Sequence, residues 1–178
     1  MSENVLTVAF AGNPNVGKST LFNALTGMKQ HTGNWAGKTV GNALGETKYK
    51  DTKIVFADIP GTYSLFAHSA EEEIARDYIC FENPDKVVVV CDATCIERNL
   101  NLVMQTLEIT DNVIVCVNLI DEAERKNIKI DFEKLKMKNP IKKRETPYED
   151  STHYETVKEF FLEAVEKYPD EDCILEKP

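Results

Sequence analysis

The chain has 178 residues, of which 42% are hydrophobic and 29% charged, and its formal net charge is −9. That length supports one domain around one sizeable core, and the acidic balance argues against a nucleic-acid-binding surface, so no nucleic-acid partner is expected. No apolar run approaches the roughly eighteen residues of a membrane span, and the opening Met1-Ser2-Glu3-Asn4 lacks the basic region of a signal peptide.

In chain order, residues 5–11 form a short apolar run that predicts a first strand. Gly12-Asn13-Pro14-Asn15-Val16-Gly17-Lys18-Ser19 follows as a complete G-x-x-x-x-G-K-S phosphate-binding loop. Residues 19–26 have helical spacing and stop at Gly27, so the helix N-terminus points its partial positive charge back at the loop. Residues 29–37 are polar and glycine-punctuated and read as a mobile loop. Residues 39–48 predict an edge strand, and residues 53–58 a second one ending on Asp58 and broken by Pro60-Gly61. Ser69 is a suitable N-cap for a helix reaching about Phe81, with Glu71, Glu72 and Glu73 in its first turn. Residues 86–92 and 112–118 are β-branched buried strands. Between them, Leu100, Val103, Met104 and Leu107 mark one face of a helix over 99–110. A short helix over 122–126 follows. Residues 131–150 carry no clear strand, residues 152–168 predict a C-terminal helix, and residues 169–178 read as a polar tail that frays. Five cysteines (Cys80, Cys91, Cys95, Cys116, Cys173) show no metal-ligand spacing, which suits a reducing cytosol. Cys91 and Cys116, inside apolar runs, read as small core residues.

The chemistry concentrates at predicted strand ends, where an open α/β sheet binds ligands. In the loop, successive backbone amides wrap phosphates, Lys18 reaches the outer ones, and the Ser19 hydroxyl suits magnesium. Asp58-Ile59-Pro60-Gly61 places an acid that can hold magnesium through water, then a glycine amide that can sense a terminal phosphate. The competing reading of those four residues is a plain turn. Asn118-Leu119-Ile120-Asp121 can present a carboxylate to guanine N1–H and its exocyclic amine; alternatively it is an Asx turn capping the next helix. Thr39 lies where a hydroxyl can complete magnesium coordination.

Together these residues resemble a small GTPase domain of the Ras-type class. Four segments narrow the resemblance to the cytosolic G domain of the FeoB ferrous iron transport family: the phosphate loop, Gly33-Asn34-Trp35-Ala36-Gly37-Lys38-Thr39-Val40, Asp58-Ile59-Pro60-Gly61-Thr62-Tyr63-Ser64-Leu65, and residues 92–100 with Asp92-Ala93-Thr94 and Arg98-Asn99-Leu100. The resemblance covers roughly residues 5–135 and implies a three-layer α/β fold, with a mixed, mostly parallel six-stranded sheet and helices on both faces. It assigns residues 1–168 to the G domain, with a degenerate last strand and fifth motif at 136–150.

By the same resemblance, residues from Gly12 to Ser19, with Thr20, Thr39, Asp58, Gly61, Asn118 and Asp121, bind GTP or GDP. Ser19, Thr39 and Asp58 serve Mg2+. Asn15, with backbone carbonyls near Gly33 and Trp35, would hold K+ in place of an arginine finger. Asn15, Lys18, Thr39 and Gly61 form the implied catalytic set. Thr62 stands where Ras-like enzymes carry a glutamine, so slow hydrolysis to GDP and phosphate is expected. The implied role is regulating or gating ferrous iron uptake from the cytoplasmic face of the inner membrane, with a helical regulatory or membrane transport domain as partner; both domains are absent from these residues. Departures from the family are Lys38 in the first switch and Arg144-Glu145-Thr146 where the fifth motif, which contacts the guanine oxygen, is expected. Two other functions stay open: a switch with negligible turnover that recruits a partner, and a ribosome- or tRNA-associated GTPase.

Overall fold

A computed structural model of the chain describes residues 4–27, 30–33, 42–66, 68–135, 142–143 and 173–176. Its elements are β1 (Asn4–Gly12), α1 (Lys18–Thr26), β2 (Gln30–Gly33), β3 (Asn42–Tyr49), β4 (Thr52–Asp58), α2 (Ala70–Asp77), β5 (Lys86–Asp92), α3 (Ile96–Leu107), β6 (Val113–Asn118), α4 (Ile120–Arg125), α5 (Phe132–Leu135), β7 (Lys142–Lys143) and β8 (Cys173–Glu176). They build one sheet in the order β2-β3-β4-β1-β5-β6-β8-β7. The pairs β4–β1, β1–β5, β5–β6, β6–β8 and β8–β7 are parallel, while β2–β3 and β3–β4 are antiparallel. A parallel sheet must be covered on both faces, and the strand sequences obey that demand.

Alternate residues of the central strands feed two cores. Ala9, Ala11, Val87, Val89, Cys91, Val113, Val115 and Val117 pack with Ala75 of α2, Leu102 and Val103 of α3 and Ala123 of α4. Their neighbours Val8, Phe10, Val88, Val90, Ile114 and Cys116 pack on the other face with Phe22 and Leu25 of α1. Each fully buried valine contributes about 1.5–3 kcal/mol, so β5, with every residue from Lys86 to Cys91 buried, anchors both layers. Cys91 and Cys116 are buried, as their apolar settings predicted.

Helix ends follow local chemistry. Ser69 caps α2 by accepting the Glu72 amide at 3.2 Å. That helix ends at Asp77 and continues as a π-helical turn over Tyr78–Glu82, closed by Asn83 in the left-handed region. The α3 helix starts three residues earlier than its apolar spacing suggested, because a 3-10 turn over Ala93–Cys95 leads into it. Gly27, with φ of 65°, closes α1.

Against the expected six strands, the sheet has eight among the described residues. The short β2 lies within the expected loop and makes β3 an interior strand instead of an edge. Its sequence, Gln-His-Thr-Gly, has no apolar alternation, so only pairing with β3 reveals it. The expected fraying tail contains β8, which pairs with residues 114–117 of β6. Pairing there satisfies backbone groups that an open β6 edge would leave exposed. Within the stretch 136–150, where the resemblance implied a degenerate last strand and the residues showed no clear one, β7 forms at Lys142–Lys143, and it lies beyond β8, not beside β6. The expected C-terminal helix at 152–168 falls outside the described residues, as do Thr39, Trp35, Lys38 and Arg144-Glu145-Thr146. No helix among the described residues is long and apolar enough to cross a membrane, and no group of His, Cys, Asp and Glu there could form a metal cluster.

Candidate nucleotide-binding site

The site lies at the C-terminal ends of β1, β4, β5 and β6. The phosphate loop joins β1 to α1 and is fixed by close backbone approaches. A side chain at Gly12 would come within 2.8 Å of the Val90 carbonyl, so the end of β1 can lie against β5 only with glycine there. Gly17 is constrained twice: its φ is +85°, and an added Cβ would sit 2.3 Å from Asn118 Nδ2. Asn15, at the exposed crest, is also left-handed, with φ of 67°. Asparagine tolerates that conformation better than most side chains.

Asn118 joins the two halves of the site. It ends β6, and its Nδ2 donates to the Val16 carbonyl at 3.0 Å. The α4 helix has Leu119 as its N-cap and no side-chain cap hydrogen bond, so Asn118 reaches across the sheet and does not cap the helix as an Asx turn would. Leu119 is held at φ of 62°, a costly conformation for a bulky residue. It turns the chain so that Asp121 enters the first turn of α4. There Asp121 is paired with Arg125, both side chains 71% exposed, and Arg125 Nε also donates to the Asp121 carbonyl at 3.1 Å.

On the phosphate side, Lys18 is 9% exposed and forms an ion pair with Asp58 at the end of β4. Ser19 Oγ donates to the other Asp58 oxygen at 3.0 Å. Lys18, Ser19 and Asp58 are thus mutual neighbours although β4 lies some forty residues after the loop. Asn13 is 3% exposed, and its Oδ1 is the one buried side-chain polar atom without a hydrogen-bond partner among the described residues. Gly61 lies against the loop: an added Cβ would be 3.4 Å from Pro14 Cα and backbone N. The Thr62 amide donates to the Gly12 carbonyl at 3.1 Å. The Thr62 hydroxyl is used locally, donating to the Ser64 carbonyl at 2.6 Å. Thr20 is exposed on the first turn of α1, and Gly33 ends β2.

The residues around Asp92 and Asn99 carry structure. Asp92 accepts the Thr94 amide at 2.7 Å, and buried Asn99 ties the Asp92 amide at 3.4 Å to the Cys95 carbonyl at 2.8 Å. Arg98, Asn101 and Gln105 on α3 all reach the segment after Gly61, a set of contacts that the motifs alone do not reveal. Their spacing of three and four residues was the available signal, since it places all three along one side of the helix.

A family profile described as ferrous iron transport protein B matches residues 6–159. The chain is 45% identical over 134 residues to the Fe(2+) transporter FeoB of Escherichia coli strain K12, covering 73% of this chain and 17% of that protein. It is 55% identical over 101 residues to the Fe(2+) transporter FeoB of Methanocaldococcus jannaschii, covering 57% of this chain and 15% of that one. The chain therefore spans about a sixth of the length of these curated relatives. Among solved structures, the G domain of the T. maritima FeoB iron transporter superposes with a TM-score of 0.68 at 44% identity, covering 75% of this chain and 81% of that one. The cytosolic domain of the same T. maritima protein in a GMPPNP form superposes with a TM-score of 0.69 at 46% identity, covering 74% of this chain and 52% of that one. The three-layer architecture is thus the Ras-like P-loop GTPase fold, and the chain belongs to the ferrous iron transport protein B family, within which it corresponds to the cytosolic G domain.

Proposed function

We propose that this domain binds GTP with magnesium and hydrolyses it to GDP and phosphate, and that the cycle regulates ferrous iron transport. The observation that carries this reading is the junction at Asn118, where the guanine-reading loop is hydrogen-bonded to the phosphate loop at the Val16 carbonyl. Such a junction sets the distance between base and phosphates, so one ligand must satisfy both ends.

The loop amides and Lys18 hold the β- and γ-phosphates, and the Asp121 carboxylate accepts from guanine N1–H and its amine. Ser19 and Asp58, a hydroxyl and a carboxylate 3.0 Å apart, are the hard-oxygen donors that suit magnesium, and Thr39 joins them. Magnesium, when bound, neutralises charge on the phosphate oxygens. Gly61 turns its backbone toward Pro14 of the loop and donates its amide to the γ-phosphate. Water attacks the γ-phosphorus, the bond to the β–γ bridging oxygen breaks, and that oxygen leaves on GDP. Because the Thr62 hydroxyl is bonded to the Ser64 carbonyl, water is positioned by backbone and not by this side chain, and turnover is slow. The same observation favours a second reading, a nucleotide switch with negligible turnover that recruits a partner. Asn15 at the loop crest, with Gly33 and Trp35, would hold potassium, which when bound would supply positive charge in the place of an arginine finger.

The domain works at the cytoplasmic face of the membrane, coupled to a helical regulatory or membrane transport domain like those of FeoB-type proteins. Titration with GTP, GDP and ATP in potassium and in sodium buffers, followed by single-turnover phosphate release, tests the proposal. GTP and GDP bind, ATP does not, and phosphate appears faster in potassium; Asn15→Ala removes the salt difference. ATP binding as well as GTP overturns the guanine assignment. Bound GTP that returns no phosphate over hours favours the switch, and equal rates in both salts remove potassium.

A further inference from the structure

The segment after Gly61 is held at both ends. At its start, the Thr62 amide is bonded to the Gly12 carbonyl at 3.1 Å, with Gly61 lying against Pro14. At its end, the Leu65 amide donates to Gln105 Oε1 at 2.7 Å, and Gln105 is 7% exposed. Between them, Asn101 Nδ2 donates to the Tyr63 carbonyl at 3.4 Å, and the Arg98 guanidinium lies 4.2 Å from the Tyr63 ring centroid. Tyr63 is 45% exposed, so its position owes more to Arg98 than to burial. Arg98, Asn101 and Gln105 recur at three and four residues along α3 and reach two residues of the segment, Tyr63 and Leu65. A hydrogen bond to a buried amide is expensive to lose, because the amide is left without a partner.

We propose that Arg98, Asn101 and Gln105 are positioning residues for the terminal phosphate. By gripping Tyr63 and Leu65 they set the height of the Gly61 amide above the phosphate loop, and so favour a nucleoside triphosphate over the diphosphate. The inference rests on the proposed GTP reading. Its physical content is selectivity: a diphosphate does not reach Gly61, so loosening the grip costs triphosphate binding alone.

The test uses the whole chain with Arg98→Ala, Asn101→Ala, Gln105→Leu and Tyr63→Leu, and measures dissociation constants for GDP and GMPPNP with single-turnover GTP cleavage. In Gln105→Leu and Arg98→Ala, GMPPNP weakens on the order of tenfold and cleavage slows with it, while GDP affinity stays within about twofold. The double variant Arg98→Ala with Tyr63→Leu is no worse than either single one, since both remove the same contact. Should GDP and GMPPNP affinities fall together in every variant, or neither change, the positioning role is overturned. Asn101 is exposed, so its variant keeps the test valid if the Gln105 variant fails to fold. A parent chain that binds no guanine nucleotide overturns the functional reading instead. The grip is then read from hydrogen exchange at the Leu65 amide: faster exchange in Gln105→Leu supports it, and unchanged exchange rejects it.

Discussion

The proposed phosphate side of the site and its proposed base side are built to different standards. Lys18 is nearly enclosed and paired with Asp58, and Gly12 and Gly17 admit no side chain without displacing the Val90 carbonyl or the Asn118 amide. Asp121, by contrast, is 71% exposed on a six-residue helix, and its ion partner Arg125 is equally exposed. Phosphate binding draws on backbone amides and a desolvated charge, and both work only if their geometry is fixed in advance. Base reading needs one carboxylate in the right plane, and an exposed side chain can still find it. Asn118 is where the rigid half restrains the loose one.

That contrast can be broken at graded depth. The largest effect is expected from Lys18→Ala, which removes the buried cation and leaves Asp58 facing the phosphates alone; GTP binding measured by titration falls on the order of a hundredfold or more. Gly17→Ala comes next. With φ at +85° and Asn118 Nδ2 only 2.3 Å from the new methyl, thermal or denaturant unfolding shows a loss of about 1–3 kcal/mol. Weaker guanine binding follows from the displaced Asn118, and a variant as stable and as tight as the parent refutes the packing described. On the base side, Asp121→Asn leaves phosphate contacts intact and moves preference from guanine toward xanthine nucleotides, measured by competition. Arg125→Ala has a smaller result. An exposed pair is worth at most about 1 kcal/mol, so GDP affinity shifts no more than a few fold, and the shift shrinks in high salt.

Near neutral pH the smallest effect lies away from the site, at Tyr78 on the π-helical turn, which acts only in alkali. Burial pushes its phenol up to about 12 from the usual 10. The unfolded chain therefore loses this proton first as pH rises. The contribution is fully present below about pH 10 and is lost progressively toward pH 12, so alkaline unfolding steepens there. Tyr78→Phe flattens that part of the pH–stability profile, and an unchanged profile assigns the alkaline loss elsewhere.

Much of this architecture was readable from local chemistry. The runs at 86–92 and 112–118 gave β5 and β6 almost residue for residue, because a strand buried on both faces must be apolar throughout. Ser69 announced its helix, and the G-x-x-x-x-G-K-S pattern announced a loop whose glycines the structure accounts for individually. The polar β2 and the tail strand β8 were not legible, since neither has a periodicity and both exist through pairing with a neighbour.

The same division holds for the site. By itself the sequence determined the loop and the donors on which the proposed phosphate chemistry rests, because loop amides, one lysine and one hydroxyl act through local geometry. Asn118 and Asp121 were likewise identifiable as types at the end of a strand. Only the tertiary structure decided what Asn118 does, since a cap and a bridge to Val16 are the same residue until β6 is placed beyond β5 and β1. It alone also decided that α3 reaches over the segment after Gly61. Those contacts join residues some forty positions apart, and spacing along the chain carries no record of a meeting that sheet order creates.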